Sequence, residues 1–132
     1  MGTWGFGNFE NDTAGEHLVG VVRPLLQQIA DTVRDEALMA PDEYDGVAMI
    51  SNLEIIACLA ESLGKSSESK TAPGMELPPP ATIEKWREDY LRVWDGYIDQ
   101  LNPKPDFKRR RRKVIQTTFE RVLAAAQREH AR

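Results

Sequence analysis

Apolar residues recur along most of this 132-residue chain at three- and four-residue spacing, the period of a helix face, and no stretch alternates as a half-buried strand would. Leu18, Val21, Val22, Leu25, Leu26, Ile29 and Val33 form the first stripe. Its helix is expected to begin near Thr13, whose hydroxyl and Glu16 fit a reciprocal Thr-x-x-Glu cap. Pro24 removes the donor to the Gly20 carbonyl, which predicts a kink. A second helix, about Asp45 to Leu63, is apolar almost all round, from Val47, Met49, Ile50 and Leu53 through Ile55, Ile56, Leu59 and Leu63. Such a helix is predicted to be central and covered on several sides. Gly64 is its natural C-terminal cap.

Residues 65–80 are too polar and proline-rich for regular structure, and predict an internal linker that is mobile until Pro78, Pro79 and Pro80 stiffen it. A third helix, about Ala81 to Leu101, carries Ile83, Trp86, Tyr90, Val93, Trp94, Tyr97, Ile98 and Leu101 as a heavily aromatic core stripe. Pro103 and Pro105 forbid its continuation, and Asp106 is placed to cap a fourth helix. That helix bears Phe107, Val114, Ile115, Phe119, Val122, Leu123 and Ala126. The fold expected over residues 1–132 is therefore one all-α domain, a compact bundle of four main helices.

The opening residues fit neither helix nor strand. Glycine alternates with large aromatics at Gly2, Trp4, Gly5, Phe6, Gly7 and Phe9, and an acidic, amide-rich turn with Glu10, Asn11 and Asp12 follows. Glycine frees the backbone while each aromatic has a large face to bury, so a shaped loop packed on the core near Glu54 is expected. Gly2-Thr3-Trp4-Gly5, then Gly7, Phe9, Asn11-Asp12 and Ala14, resembles the opening phrase of a family of small bacterial proteins known as domain of unknown function 4259. The stretch from Asn52 to Leu59 is similar to that family's Ala-rich helix with one embedded glutamate. The family's usual Asp-Trp pair is replaced here by Glu16-His17. The resemblance implies a bacterial origin and a fold, but no reaction.

Composition narrows the classes without naming an activity. A charged share of 29% and an apolar share of 41% are those of a globular domain. No uninterrupted apolar run approaches the roughly 18 residues of a bilayer span, and no secretory leader is recognisable, so a cytoplasmic protein without a membrane partner is expected. The lone Cys58 excludes an internal disulfide, and among Ile55, Ile56 and Leu59 it reads as a buried small hydrophobe. The net charge of −4 is unevenly divided: residues 1–64 hold 11 acids against Arg23 and Arg34, while residues 65–132 hold 10 acids against 15 bases. An acidic half packed against a basic half is one reading, and a charged partner is the other.

Three constellations remain. Glu54, in the most apolar helix, is either a structural anchor, accepting bonds from the N-terminal loop amides or the Trp4 indole, or a general base or metal ligand with Glu61, Asp12, Glu16 or His17. Trp4, Asn11, Asp12 and Glu54 are the anchor set; no catalytic residue, metal or cofactor is assigned. A phosphate-loop reading of Gly2, Gly5 and Gly7 lacks the preceding strand. Finally, Lys108, Arg109, Arg110, Arg111, Arg112 and Lys113 cover every face of a helical turn and a half, near a helix N-terminus whose dipole disfavours cations. Their partners are either internal acids (Asp31, Asp35, Glu36, Asp95 or Asp99) or an external polyanion such as nucleic acid, against which the pI of about 5.2 weighs. The preferred expectation is a non-enzymatic protein-binding module of immunity or antitoxin type, masking a basic partner. Polyanion binding and a Glu54-based metal-dependent hydrolase are the alternatives. The oligomeric state is not set by the sequence.

Overall fold

A computed structural model describes residues 5–63 and 74–131. Helix α1 spans Asp12–Val33. Its N-cap is Asn11 rather than Thr13: the Asn11 backbone is extended (φ −153°, ψ 157°) and its Oδ1 accepts the Ala14 amide at 2.8 Å. That bond satisfies one of the amides the first turn leaves orphaned, so Thr13 and Glu16 fall inside the helix, on its exposed side. The helix is unbroken through Pro24. Gly20 and Pro24 are both exposed, and the carbonyl left without a donor lies on the solvent side.

A 3-10 turn, Glu36–Met39, is capped by the Asp35 carboxylate, which accepts the Ala37 amide at 3.1 Å, and it delivers Met39 to the core. Helix α2 follows at Tyr44–Leu63. Gly46 is required near its start, since a Cβ there would lie 2.6 Å from the Ala40 carbonyl oxygen and 2.9 Å from Met39 backbone atoms. Helix α3 is Pro80–Tyr97, one residue earlier than expected because proline's fixed φ suits a first helical position. After Tyr97 the chain tightens into a 3-10 turn, Ile98–Leu101, and stops at Asn102 in the left-handed region (φ 50°). Helix α4 is Pro105–His130. Lys104 holds the capping position without a side-chain bond, and Asp106 lies in the first turn instead. Among the described residues there is no strand.

Helix α2 packs between α1 and α4, α4 also packs on α3, and α3 reaches α1 and the 36–39 turn. Helices α3 and α4 are antiparallel, since Arg112 meets Asp95 near one end while His130 meets Leu77 near the other. Val22, Ile29, Met49, Leu53, Ile56, Ile83, Trp94, Ile115, Phe119 and Val122 fill the centre. The aromatic stripe of α3 is core at Trp86, Tyr90 and Trp94; Tyr90 packs on Phe119 with ring centres 5.9 Å apart and planes tilted by 50°. Burial pushes the Tyr90 phenol up to about 12. Tyr97 is only half-buried and donates from its hydroxyl to Asp42 Oδ2 at 3.3 Å.

Two expectations change. Residues 74–79 have no regular structure, yet they are pinned: Met75 and Leu77 are buried, Glu129 Oε1 accepts the Glu76 amide at 2.7 Å, and His130 Nε2 donates to the Leu77 carbonyl at 2.7 Å. The remainder of the expected linker, with Gly64, lies outside the described residues. In the N-terminal loop, Phe9 packs against the core but Phe6 is fully exposed. The Glu10 carboxylate fills the space a side chain would need at Gly5 and Gly7.

Candidate functional site

Helix α2 is apolar all round, but the bundle covers only part of it. Its buried residues are Gly46, Met49, Ile50, Asn52, Leu53, Ile56, Ala57 and Ala60. On the opposite side Tyr44 (83% exposed), Val47 (48%) and Ile55 (46%) face solvent, with Ser51 and Cys58 between and beyond them. Helical spacing explains this division, because 44, 47, 51, 55 and 58 recur at three- and four-residue steps on one side of the cylinder. By length and composition α2 is apolar enough to cross a bilayer, with a mean hydropathy of 1.5 over an 18-residue window of which 44% is buried. Core helices pass the same test, and this one packs between α1 and α4. The expectation of a helix covered on several sides therefore holds for its inner face alone, and Cys58 is exposed rather than buried.

Along the border with α4, Glu54, Cys58 and Glu61 share one edge of α2 at four- and three-residue spacing. Arg121 of α4 reaches all three. Its Nη1 donates to Glu54 Oε2 at 2.5 Å, and its Nε and Nη2 form a bidentate pair with Glu61 at 2.8 and 2.7 Å. Its Nη2 also lies 3.5 Å from Cys58 Sγ, which donates to Glu54 at 3.3 Å. The Arg121 hydrogen bond, followed by that of Cys58, holds the Glu54 carboxyl below the usual carboxylate range. The two carboxylates in turn raise the Arg121 pKa above its ordinary value. Glu54 is therefore a charged acceptor serving a cross-helix clasp. Its described partners belong to α2 and α4 rather than to the N-terminal loop, and Trp4 lies outside the described residues.

Beside this clasp runs a hollow of about 460 Å³, lined by Glu54, Arg110, Lys113, Val114, Thr117 and Arg121. Val114, expected in the core stripe of α4, is half-exposed here, as is Phe107 in the first turns. The basic run is partly satisfied by internal acids of α3, of the 98–101 turn and of α4 itself. Arg112 forms a bidentate pair with Asp95 at 2.9 and 2.8 Å, and Lys108 reaches Asp99 at 2.7 Å. Arg109 and Arg110 share Asp106. Arg111 and Lys113 have no carboxylate within salt-bridge reach among the described residues. The acids of the first half are engaged elsewhere: Glu36 pairs with Arg92, Asp31 with Arg34, and Asp35 caps the 36–39 turn.

The hydrolase alternative requires Glu54 to converge with Asp12, Glu16 or His17. Asp12 and Glu16 occupy the first turns of α1, His17 is exposed beside them, and no group of three or more His, Cys, Asp or Glu side chains suited to a metal occurs among the described residues. Asn11 is engaged as the cap of α1.

With this geometry in hand, comparison with known families is decisive on one point. The family model described as domain of unknown function (DUF4259) matches residues 2–131. The chain belongs to that family. The match covers all four helices of this DUF4259 domain, far beyond the N-terminal phrase and the 52–59 stretch that carried the resemblance. No curated protein and no solved structure matches it.

Sequence reading missed the partner of the clasp in this family member. Arg121 lies beyond the basic run, between Glu120 and the apolar stretch from Val122 to Ala126, and Glu54 and Glu61 lie one heptad apart. Two acids on one helix edge and a cation bordering the apolar stretch of another helix are a legible signal for such a contact.

Proposed function

We propose that this DUF4259 domain is a non-enzymatic protein-binding module of immunity or antitoxin type, docking its partner on the outer face of α2 and the hollow between α2 and α4. One observation carries the reading: the most apolar helix of the chain leaves Tyr44, Val47 and Ile55 in solvent beside a hollow walled by Val114. Exposed apolar side chains grouped on one helix face are a feature of interaction sites on monomers. The rim chemistry selects the occupant. Arg110 and Lys113 border the hollow, and Lys113 has no internal carboxylate partner among the described residues. The partner that fits is an amphipathic, acidic segment of another protein, laying apolar side chains over Val114 and Ile55 and carboxylates on the rim. This reverses the sign expected from the acidic first half of the chain.

The test is affinity capture from a native lysate with wild-type protein and with the Ile55→Asp/Val114→Asp variant, nuclease-treated throughout. A discrete acidic protein retained by the wild type and lost by the variant, with unchanged helical content, supports the reading. Equal capture by both proteins, or capture of nothing above an unrelated acidic control, overturns it.

A further inference from the structure

The outer side of α4, turned away from α2, carries a second hollow of about 470 Å³ lined by Arg109, Arg112, Lys113, Gln116, Thr117 and Glu120. We propose that this strip binds nucleic acid through its phosphate backbone, without reading sequence. Three observations converge on it. First, internal neutralisation of the run is incomplete: among the described residues its six cations meet only Asp95, Asp99 and Asp106, and Arg109 shares Asp106 with Arg110. Second, the run begins in the first turn of α4, at the positive end of its dipole, where an anion is favoured and a cation is not. Third, the spacing suits a strand. Arg109 and Lys113 are one turn apart, about 6 Å along the axis, a separation comparable with that of neighbouring phosphates along a strand.

Gln116 and Thr117 continue the strip with neutral donors suited to phosphate or sugar oxygens. Among the described residues no aromatic side chain lines the hollow, so the contact proposed is to the backbone rather than by base stacking. Glu120 ends the footprint by repulsion. The two hollows share Lys113 and Thr117, and Arg109 is the cation that belongs to this strip and not to the docking hollow.

The deciding experiment is fluorescence anisotropy with a labelled 20-nucleotide RNA and a DNA duplex of arbitrary sequence, titrated with the intact protein at several salt concentrations. The expected result is binding at low salt whose logarithm falls with log salt at a slope of about 2, one contact each from Arg109 and Lys113. Arg109→Ser/Lys113→Ser is expected to weaken binding at least tenfold and flatten that slope. Arg23→Ser/Arg34→Ser, which removes the same charge outside α4, is expected to change affinity less than threefold. Absence of salt-dependent binding, or equal losses in both double variants, overturns the proposal, as does binding of polyglutamate but neither nucleic acid.

Discussion

Helices α2 and α3 are both rich in large apolar side chains, yet the bundle treats them differently. Helix α3 is amphipathic: Ile83, Trp86, Tyr90 and Trp94 are buried along one stripe, and Glu84, Lys85, Glu88 and Arg92 occupy the exposed side. Helix α2 is more apolar, and for that reason its face is less well defined; Leu53 and Ile56 are fully buried while Val47 and Ile55 face solvent. Total hydrophobicity measures how much a helix can bury, whereas the asymmetry of the pattern says where. An element with apolar residues left over after the fold is complete has surface available for something other than folding.

The comparison can be broken at its buried end. Trp94→Ala, at the closed face of α3, is expected to cost about 3–5 kcal/mol in chemical denaturation, through lost transfer energy and an unfilled cavity. A loss under about 1 kcal/mol would mean that the α3 stripe is not the closed core described here.

A smaller effect is expected at the border of the two regions, where Arg121 holds Glu54 and Glu61. Glu54 has a folded pKa below its unfolded value, so its contribution is present above the ordinary carboxylate range and is lost as pH falls through the folded pKa. Glu54→Gln is therefore expected to lower stability at neutral pH by about 0–1 kcal/mol, as for partly exposed ion pairs. The difference from wild type should shrink as pH falls below the ordinary carboxylate range and through the lowered folded pKa of Glu54. Denaturant midpoints at pH 7 and in acid would check both sign and window, and a difference that grows on acidification would contradict the clasp.

The smallest expected effect lies at the open face. Ile55→Ser should change the unfolding free energy by no more than about 0.5 kcal/mol, the range for exposed positions, despite the apolar neighbourhood in sequence. A loss comparable with that of Trp94→Ala would show that the outer face of α2 is covered, and would remove the docking surface with it.

The bundle was legible because periodicity and proline placement are local signals: Pro103 and Pro105 separate α3 from α4 as expected, and the aromatic stripe of α3 points inward over most of its length. What escaped depends on non-local neighbours. Nothing local distinguishes the exposed Cys58, Val114 and Phe107 from the buried Ile56, Ile115 and Phe119, since which side of an apolar helix is covered depends on where the other helices lie. The same holds for Met75 and Leu77, which a polar, proline-rich context marked as linker and the core nonetheless takes in. At the site, Glu54 was conspicuous as a carboxylate among hydrophobes, but its Arg121 partner lies 67 residues away and became visible only once α2 and α4 were adjacent. Asn11 and Thr13 compete for the cap of α1, and the extended backbone at Asn11 decides between them.

The strap at residues 75–77 also bears on the order in which the molecule can assemble. Its buried Met75 and Leu77 are fastened by Glu129 and His130, more than 50 residues later in the chain. During synthesis from the N-terminus, the amides of residues 76 and 77 lack these acceptors until the last turn of α4 has been made. Helices α1 and α2 can pair before then, but the strap closes only after α3 and α4 have folded back on each other. Vectorial synthesis thus makes the final turn of α4 a late latch on residues made much earlier.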